Sequence, residues 1–125
     1  MTNSPARHLS GATELLREFN HASQYTKAEW EYPAASYRAL GALSGLVQKL
    51  EQAIEQSVRP VMHTYEHDRV RIDGGGDADE AVRHMLAAVD NAKKAAGLLS
   101  ATVSHLHTIT SPMGLDTAGL PGFED

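Results

Sequence analysis

The chain has 125 residues with 42% hydrophobic and 22% charged side chains, a formal net charge of −5 at pH 7 and no cysteine. This composition fits one soluble domain with a single core, predicts no overall attraction to nucleic acid or an anionic membrane, and excludes disulfides, thiol catalysis and cysteine-ligated metals. The apolar runs are too short to span a membrane and the first residues lack the apolar stretch of a secretion signal, so we expect a cytoplasmic protein.

The first predicted helix covers residues 5–24. Its apolar side chains recur at steps of three and four residues, which is the spacing of one helical face. Ser4 and Pro5 precede them and suit the N-cap and the first helical position. The apolar positions are Leu9, Ala12, Leu15, Leu16, Phe19 and Ala22.

A second, longer helix is predicted over residues 33–67. Pro33 suits a first helical turn because it has no backbone N–H to leave unpaired there. Pro60 lies inside the pattern, removes one backbone hydrogen bond and crowds the carbonyl of Gln56, so a kink is expected at that turn. The apolar face consists of Tyr37, Leu40, Leu43, Val47, Leu50, Ile54, Val61 and Tyr65.

Three consecutive glycines at positions 74–76 predict a turn before the third helix. Asp77 and Glu80 have the spacing of a helix N-cap with an acidic residue in the first turn. The third helix is predicted over residues 77–110. Its apolar face consists of Val82, Met85, Val89, Ala92, Ala96, Leu99, Val103 and Leu106.

The predicted fold is all-α. Two long helices of similar length joined by a short turn form an antiparallel hairpin, and the shorter first helix buttresses part of it, which gives a three-helix bundle. We expect one helical domain over residues 1–110 and a flexible tail over residues 111–125.

Small residues are expected to face each other inside the hairpin. Folding the chain about residues 72–73 places Gly41 near Ser104 and Gly45 near Ser100 and Ala101, which allows the two backbones to approach closely. The apolar period near 3.5 residues further predicts shallow, left-handed packing of the coiled-coil kind.

Four large apolar residues lie off the predicted contact face between the long helices. They are Leu46, Leu86, Leu98 and Ile109. Unless the first helix reaches them, they form a second stripe that needs a cover, and self-association is the simplest cover. We therefore expect a homodimer.

Aromatic side chains gather where the first helix connects to the second. Trp30 and Tyr32 lie in this connection, and Tyr37 follows it. Aromatic residues at a bend usually anchor the core, whereas exposed ones mark a spot that binds another protein. Both interpretations of Trp30 and Tyr32 stay open, and the second makes them candidate interface residues.

A pair of histidines near the end of the second helix is a candidate metal site. His63 and His67 lie four residues apart on one helical face and, with Glu66, formally match the H-x-x-E-H arrangement of inverted zinc peptidases. Antiparallel pairing adds His84 as a further candidate ligand. A hairpin of this size offers no substrate cleft, so we expect no peptidase. The pair is either a metal site or, more commonly, two solvated histidines.

Four arginines near the hairpin turn raise the alternative of a nucleic-acid accessory factor. They are Arg59, Arg69, Arg71 and Arg83. Interleaved aspartates and glutamates cancel much of their field, so a solvated turn with salt bridges is favoured and nucleic-acid binding is not expected.

One segment of the second helix carries a resemblance. The string SYRALGALSGLVQKLEQAIEQ at residues 36–56, the turn at 73–77 and the alanine-rich third helix resemble small all-helical actinobacterial proteins of unknown function. The resemblance spans residues 5–110 and implies no catalytic residue. Because no catalytic set converges either, we expect no enzyme and no cofactor. The predicted function is a non-enzymatic interaction or structural module that binds itself or another, unidentified protein.

Overall fold

The computed structural model describes residues 4–24, 30, 32–119 and 121–122. These residues form helices and turns and contain no β-strand, so the predicted all-α fold class is confirmed. None of the described helices has the combination of length and apolar composition that a bilayer-spanning segment needs. The helices are α1 (Ala6–Ala22), α2 (Pro33–Val47), α3 (Leu50–Ser57), α4 (Arg59–Glu66) and α5 (Ala78–Thr110).

The chain divides into two compact units, Met1–Ser36 with Gly114–Asp125, and Tyr37–Met113. In the first unit, Trp30 contacts the end of α1. The indole N–H of Trp30 donates to the Ser23 carbonyl over 3.1 Å, and its ring meets Phe19 edge-on at 5.8 Å. The buttressing of the hairpin by the first helix stays a prediction.

The boundaries of the predicted domain and tail also stay a prediction. In the described part of the tail, the backbone N–H of Ala118 donates to the Asp116 carboxylate over 3.0 Å. Leu120 and residues 123–125 of the predicted tail, and residues 1–3, 25–29 and 31 of the predicted domain, lie outside the described residues.

The second unit is a helical hairpin, and its contacts fix an antiparallel register. The hydroxyl oxygens of Ser44 and Ser104 are 2.9 Å apart, and Lys93 Nζ lies 3.3 Å from the Glu55 carboxylate. From Ser44 to Glu55 the first arm advances by eleven residues, and the contacting residue on α5 falls back by eleven, from Ser104 to Lys93. The predicted antiparallel pairing of the long helices is confirmed.

The second predicted helix is divided into three segments. One interruption, at Val58, lies two residues before Pro60, where the sequence predicts a kink. The other, at Gln48 and Lys49, is not predicted by the sequence. There the Lys49 N–H bonds to the Leu46 carbonyl, as in a 3₁₀ turn, and the released Gly45 carbonyl accepts a hydrogen bond from Lys49 Nζ over 3.0 Å.

The turn before α5 follows the sequence prediction. Gly74 and Gly75 have φ values of 83° and 89°, in the left-handed region that glycine adopts without a steric penalty. Asp77 is the N-cap of α5, and its carboxylate accepts from the Asp79 backbone N–H over 2.9 Å. The helix then runs for 33 residues without interruption.

The core of the hairpin is narrow and built from small side chains. Its buried residues on α5 are Val82, Ala96 and Val103, and Ser44 and Val47 are buried on α2. No large side chain in the described residues is completely buried. This contact face therefore contributes less hydrophobic stabilisation than a core of leucine and phenylalanine would.

The contact face of α5 departs from the predicted pattern in its distal half, the half away from the turn. Leu99 and Leu106 are exposed, so their predicted place in the contact is wrong, and Ser100 and His107 are half-buried there instead. A straight α-helix drifts by about 20° per heptad from a 3.5-residue repeat, and therefore by about 60° over three heptads. That rotation carries Leu99 and Leu106 outward and brings the following residues inward.

The predicted pairing of the glycines is wrong by about one helical turn. His107, not Ser104, is the α5 residue that packs against Gly41. A Cβ atom added at Gly41 would lie 2.9 Å from Nε2 of His107. A Cβ atom added at Gly45 would meet no atom within 4 Å, so the Cβ position of Gly45 opens into free space.

Candidate interaction surface and histidine pair

The distal half of α5 carries exposed large apolar side chains. Leu98 is 71% exposed, the highest value among the large apolar residues described. Leu99, Leu106 and Ile109 are each more than two-fifths exposed. These residues recur at helical spacings away from the contact with α2, so they form a continuous strip along the outside of α5.

Leu46 of α2 does not join this strip. The Ser44–Ser104 contact sets the register and places Leu46 level with residue 102 of α5. Leu46 and Leu106 each lie two positions after a member of that serine pair, about 200° around their own helices. Each therefore faces away from the partner helix, so Leu46 lies on the outer side of α2 and Leu106 on the outer side of α5. We call Leu98, Leu99, Leu106 and Ile109 the leucine surface.

The leucine surface lies in a part of the hairpin that has no charged neighbours in sequence. No Asp, Glu, Lys or Arg occurs between Lys94 and Asp116 of the chain, or between Arg38 and Lys49. The charged residues of the hairpin are concentrated toward its turn. An apolar surface without interspersed charges is typical of the centre of a protein interface.

Two of the four predicted stripe residues belong to this surface, and two lie apart. Leu98 and Ile109 share the outer side of α5, whereas Leu46 lies on the outer side of α2 and Leu86 lies twelve residues before Leu98, about 18 Å along α5. Sequence reasoning missed Leu99 because a strict 3.5-residue repeat assigns it, like Leu106, to the contact between the helices. The absence of charged residues around Leu99 and Leu106 in the sequence was the signal that could have indicated an exposed apolar surface.

The two aromatic candidates differ in their surroundings. Trp30 is half-buried and engages Ser23 and Phe19 within the first unit, which matches the anchoring interpretation. Tyr32 is 41% exposed. Their role in a protein interface stays a prediction.

His63 and His67 lie together at the end of α4. Their ring centres are 4.7 Å apart, with the ring planes inclined at 55°. The His67 N–H bonds to the Thr64 carbonyl in a tightened last turn, and Nδ1 of His67 lies 2.9 Å from the His63 carbonyl oxygen. A carbonyl can only accept, so Nδ1 is the protonated nitrogen in that contact and Nε2 keeps its lone pair.

His84 is placed with a different partner. Its Nε2 lies 4.0 Å from a Glu80 carboxylate oxygen, one turn earlier in α5. Within the part of the chain that the structure describes, no three His, Cys, Asp or Glu side chains converge in a metal-binding arrangement. The structure therefore brings together two of the three predicted histidine ligands.

The four arginines near the turn are exposed and stand among acidic residues. Arg71 pairs with Asp73 at 3.2 Å. The positive charge of Arg83 acts on Tyr65, whose hydroxyl donates to the Asp79 carboxylate over 2.7 Å. That hydrogen bond raises the pKa of the Tyr65 hydroxyl above its ordinary value, with smaller contributions from desolvation and the Asp79 charge. The expectation that these arginines do not bind nucleic acid, and the alternative of a nucleic-acid accessory factor, both stay untested.

No family model matches this sequence, and comparisons with the curated proteins and with the solved structures give no match either. The resemblance to small actinobacterial helical proteins is therefore untested and stays a prediction.

Proposed function

We propose that the protein is a non-enzymatic, cytoplasmic interaction module that associates with a second copy of itself through the leucine surface. The observation that carries the proposal is the exposure of four large apolar side chains along the outer side of the distal half of α5. Contiguous apolar surface of this kind is uncommon on proteins that remain monomeric.

Hydrophobic burial supplies the driving force in this proposal. Complete burial of a leucine or isoleucine side chain contributes about 1.5–3 kcal/mol, and these side chains are already partly covered in the single chain. Each copy brings four of them to a two-fold interface, so their combined burial offsets the entropic cost of association.

The distribution of charge favours this surface over the rest of the hairpin. Two copies of a chain with net charge −5 repel each other where their charged parts meet. The leucine surface lies between Lys94 and Asp116 on α5, where neither copy presents a formal charge of either sign. Association there avoids like-charge contacts and leaves no ion to be buried unpaired.

Sedimentation velocity over a wide concentration range tests the proposal. The weight-average mass is expected to rise from the 13.5 kDa of one chain toward twice that value. The double substitution Leu98→Glu with Leu106→Glu places two carboxylates on the surface of each copy and is expected to weaken association by a hundredfold or more, since each buried charge costs several kcal/mol.

Leu86→Glu is the matched control. Leu86 and Ile109 are both 43% exposed on the same helix, but Leu86 lies about 34 Å nearer the turn. This substitution is expected to leave association unchanged, and circular dichroism should report the same helical content for all variants. A mass of one chain at every concentration would contradict the proposal.

A further inference from the structure

We propose that His63 and His67 form a two-histidine chelate for a borderline divalent transition-metal ion such as Zn²⁺. The proposal is independent of self-association. It rests on the separation of the two rings and on the hydrogen bond that orients one of them.

The ring separation fits a shared ion. A zinc–nitrogen bond is about 2.0–2.1 Å long, which puts each ring centre about 3 Å from the metal. Two imidazoles at tetrahedral positions on one ion therefore have ring centres about 5 Å apart. The rings of His63 and His67 stand 4.7 Å apart and are inclined, not stacked, so the separation of their centres is close to that of a chelating pair.

The tautomer of His67 is already the one that a metal requires. Its Nδ1–H donates to the His63 carbonyl, which leaves Nε2 as the free ligand atom. Histidines that bind metals commonly donate their other ring N–H to a backbone carbonyl, which fixes the orientation of the ring. The carbonyl is free for this role because the His67 backbone N–H bonds to Thr64 instead.

The donor set defines the class of ion. Two neutral imidazoles suit zinc, nickel and copper(II), whereas magnesium and calcium prefer oxygen ligands. Both histidines are exposed, and within the described residues no third His, Cys, Asp or Glu joins them. Water therefore completes the coordination, and the site is of modest affinity compared with a structural zinc site of four protein ligands.

Calorimetric titration of the full, untagged chain with zinc chloride in a non-chelating buffer tests the proposal. We expect one ion per chain in the strongest binding step. His63→Ala and His67→Ala are each expected to weaken that step by about tenfold or more, because the single remaining imidazole can no longer chelate the ion. His8→Ala, which removes an exposed histidine from α1, is expected to bind like the unmodified chain.

Nitrogen-15 spectra of the imidazole rings give a second readout that does not depend on the substitutions. Zinc should shift the Nε2 resonance of His67 at stoichiometric metal while Nδ1 stays protonated. Equal binding by the unmodified chain and both alanine variants would overturn the proposal, as would uniform shifts over all seven histidines. Circular dichroism of each variant checks that the helices are retained.

Discussion

Two glycines one helical turn apart in α2 have opposite surroundings. A Cβ atom at Gly41 would stand 2.9 Å from Nε2 of His107, whose ring stacks on Tyr37 with centres 4.2 Å apart. A Cβ atom at Gly45 would meet nothing within 4 Å. Gly41 is therefore required for close packing of His107, whereas Gly45 only costs the helix the conformational entropy of glycine.

We predict that Gly45→Ala stabilises the protein and that Gly41→Ala does not. Alanine in place of a helical glycine contributes about 0.5–1 kcal/mol when nothing obstructs it. At Gly41 the displaced His107 ring offsets this gain, so Gly41→Ala should be at least about 1 kcal/mol less stable than Gly45→Ala. Urea unfolding of the two variants measures the difference. Equal stability would show that His107 does not pack closely on Gly41.

The Tyr65–Asp79 hydrogen bond predicts a change at high pH. The bond raises the pKa of the Tyr65 hydroxyl in the folded state above its ordinary value near 10. The neutral hydroxyl is thus favoured by folding, and its contribution is fully present below pH 10 and lost as the pH rises through the folded-state pKa.

Ultraviolet titration of the tyrosines measures this effect. Asp79→Asn should lower the pKa of Tyr65 toward its ordinary value, because an amide accepts a weaker hydrogen bond and carries no charge. The Asp79 backbone N–H, which donates to the Asp77 carboxylate, is unaffected by the change. An unchanged tyrosine titration in Asp79→Asn would contradict the assignment.

At the scale of the helices, the sequence predicts ends better than interruptions. The glycine turn and the Asp77 cap locate the start of α5 to within one residue, because these signals act on the backbone locally. The interruption at Gln48 and Lys49 has no glycine or proline, and the apolar period continues across it. It depends on a lysine side chain reaching the Gly45 carbonyl, which residue spacing does not reveal.

We predict that Pro60→Ala joins α3 and α4 into one helix. Alanine restores a backbone N–H that can bond to the Gln56 carbonyl and removes the clash of the proline ring. Amide hydrogen exchange near Val58 should slow, and helical content should rise slightly. Pro33→Ala is the control, because Pro33 is the first residue of α2 and no intrahelical bond is missing there. Fast exchange persisting in Pro60→Ala would mean that another cause breaks the helix.

The candidate site was only partly predictable for a reason that belongs to the whole hairpin. Spacing alone places Leu98 and Ile109 away from the contact face, and the structure exposes both. Whether Leu99 and Leu106 face inward depends on how far the two arms twist about each other, which is a property of the pair. Likewise, spacing puts His63 near His67 but does not reveal the released carbonyl that orients His67.

For the whole molecule, we predict that self-association does not weaken when salt is added. The leucine surface is uncharged, and added salt screens the repulsion between two chains of net charge −5. The dissociation constant should stay constant or fall by a few fold between 0.05 and 0.5 M sodium chloride, as measured by sedimentation equilibrium. A tenfold loss of affinity at the higher salt would indicate an interface held by ion pairs.

The separation of apolar and charged halves along α5 has a consequence for valency. If two copies pair in opposite directions through their distal halves, their turns project from opposite ends of the pair, about 70 Å apart given the rise of an α-helix. A partner that binds the turn would then find two copies of the turn on one dimer. A repetitive target with matching spacing would be held far more tightly than a single hairpin could hold it.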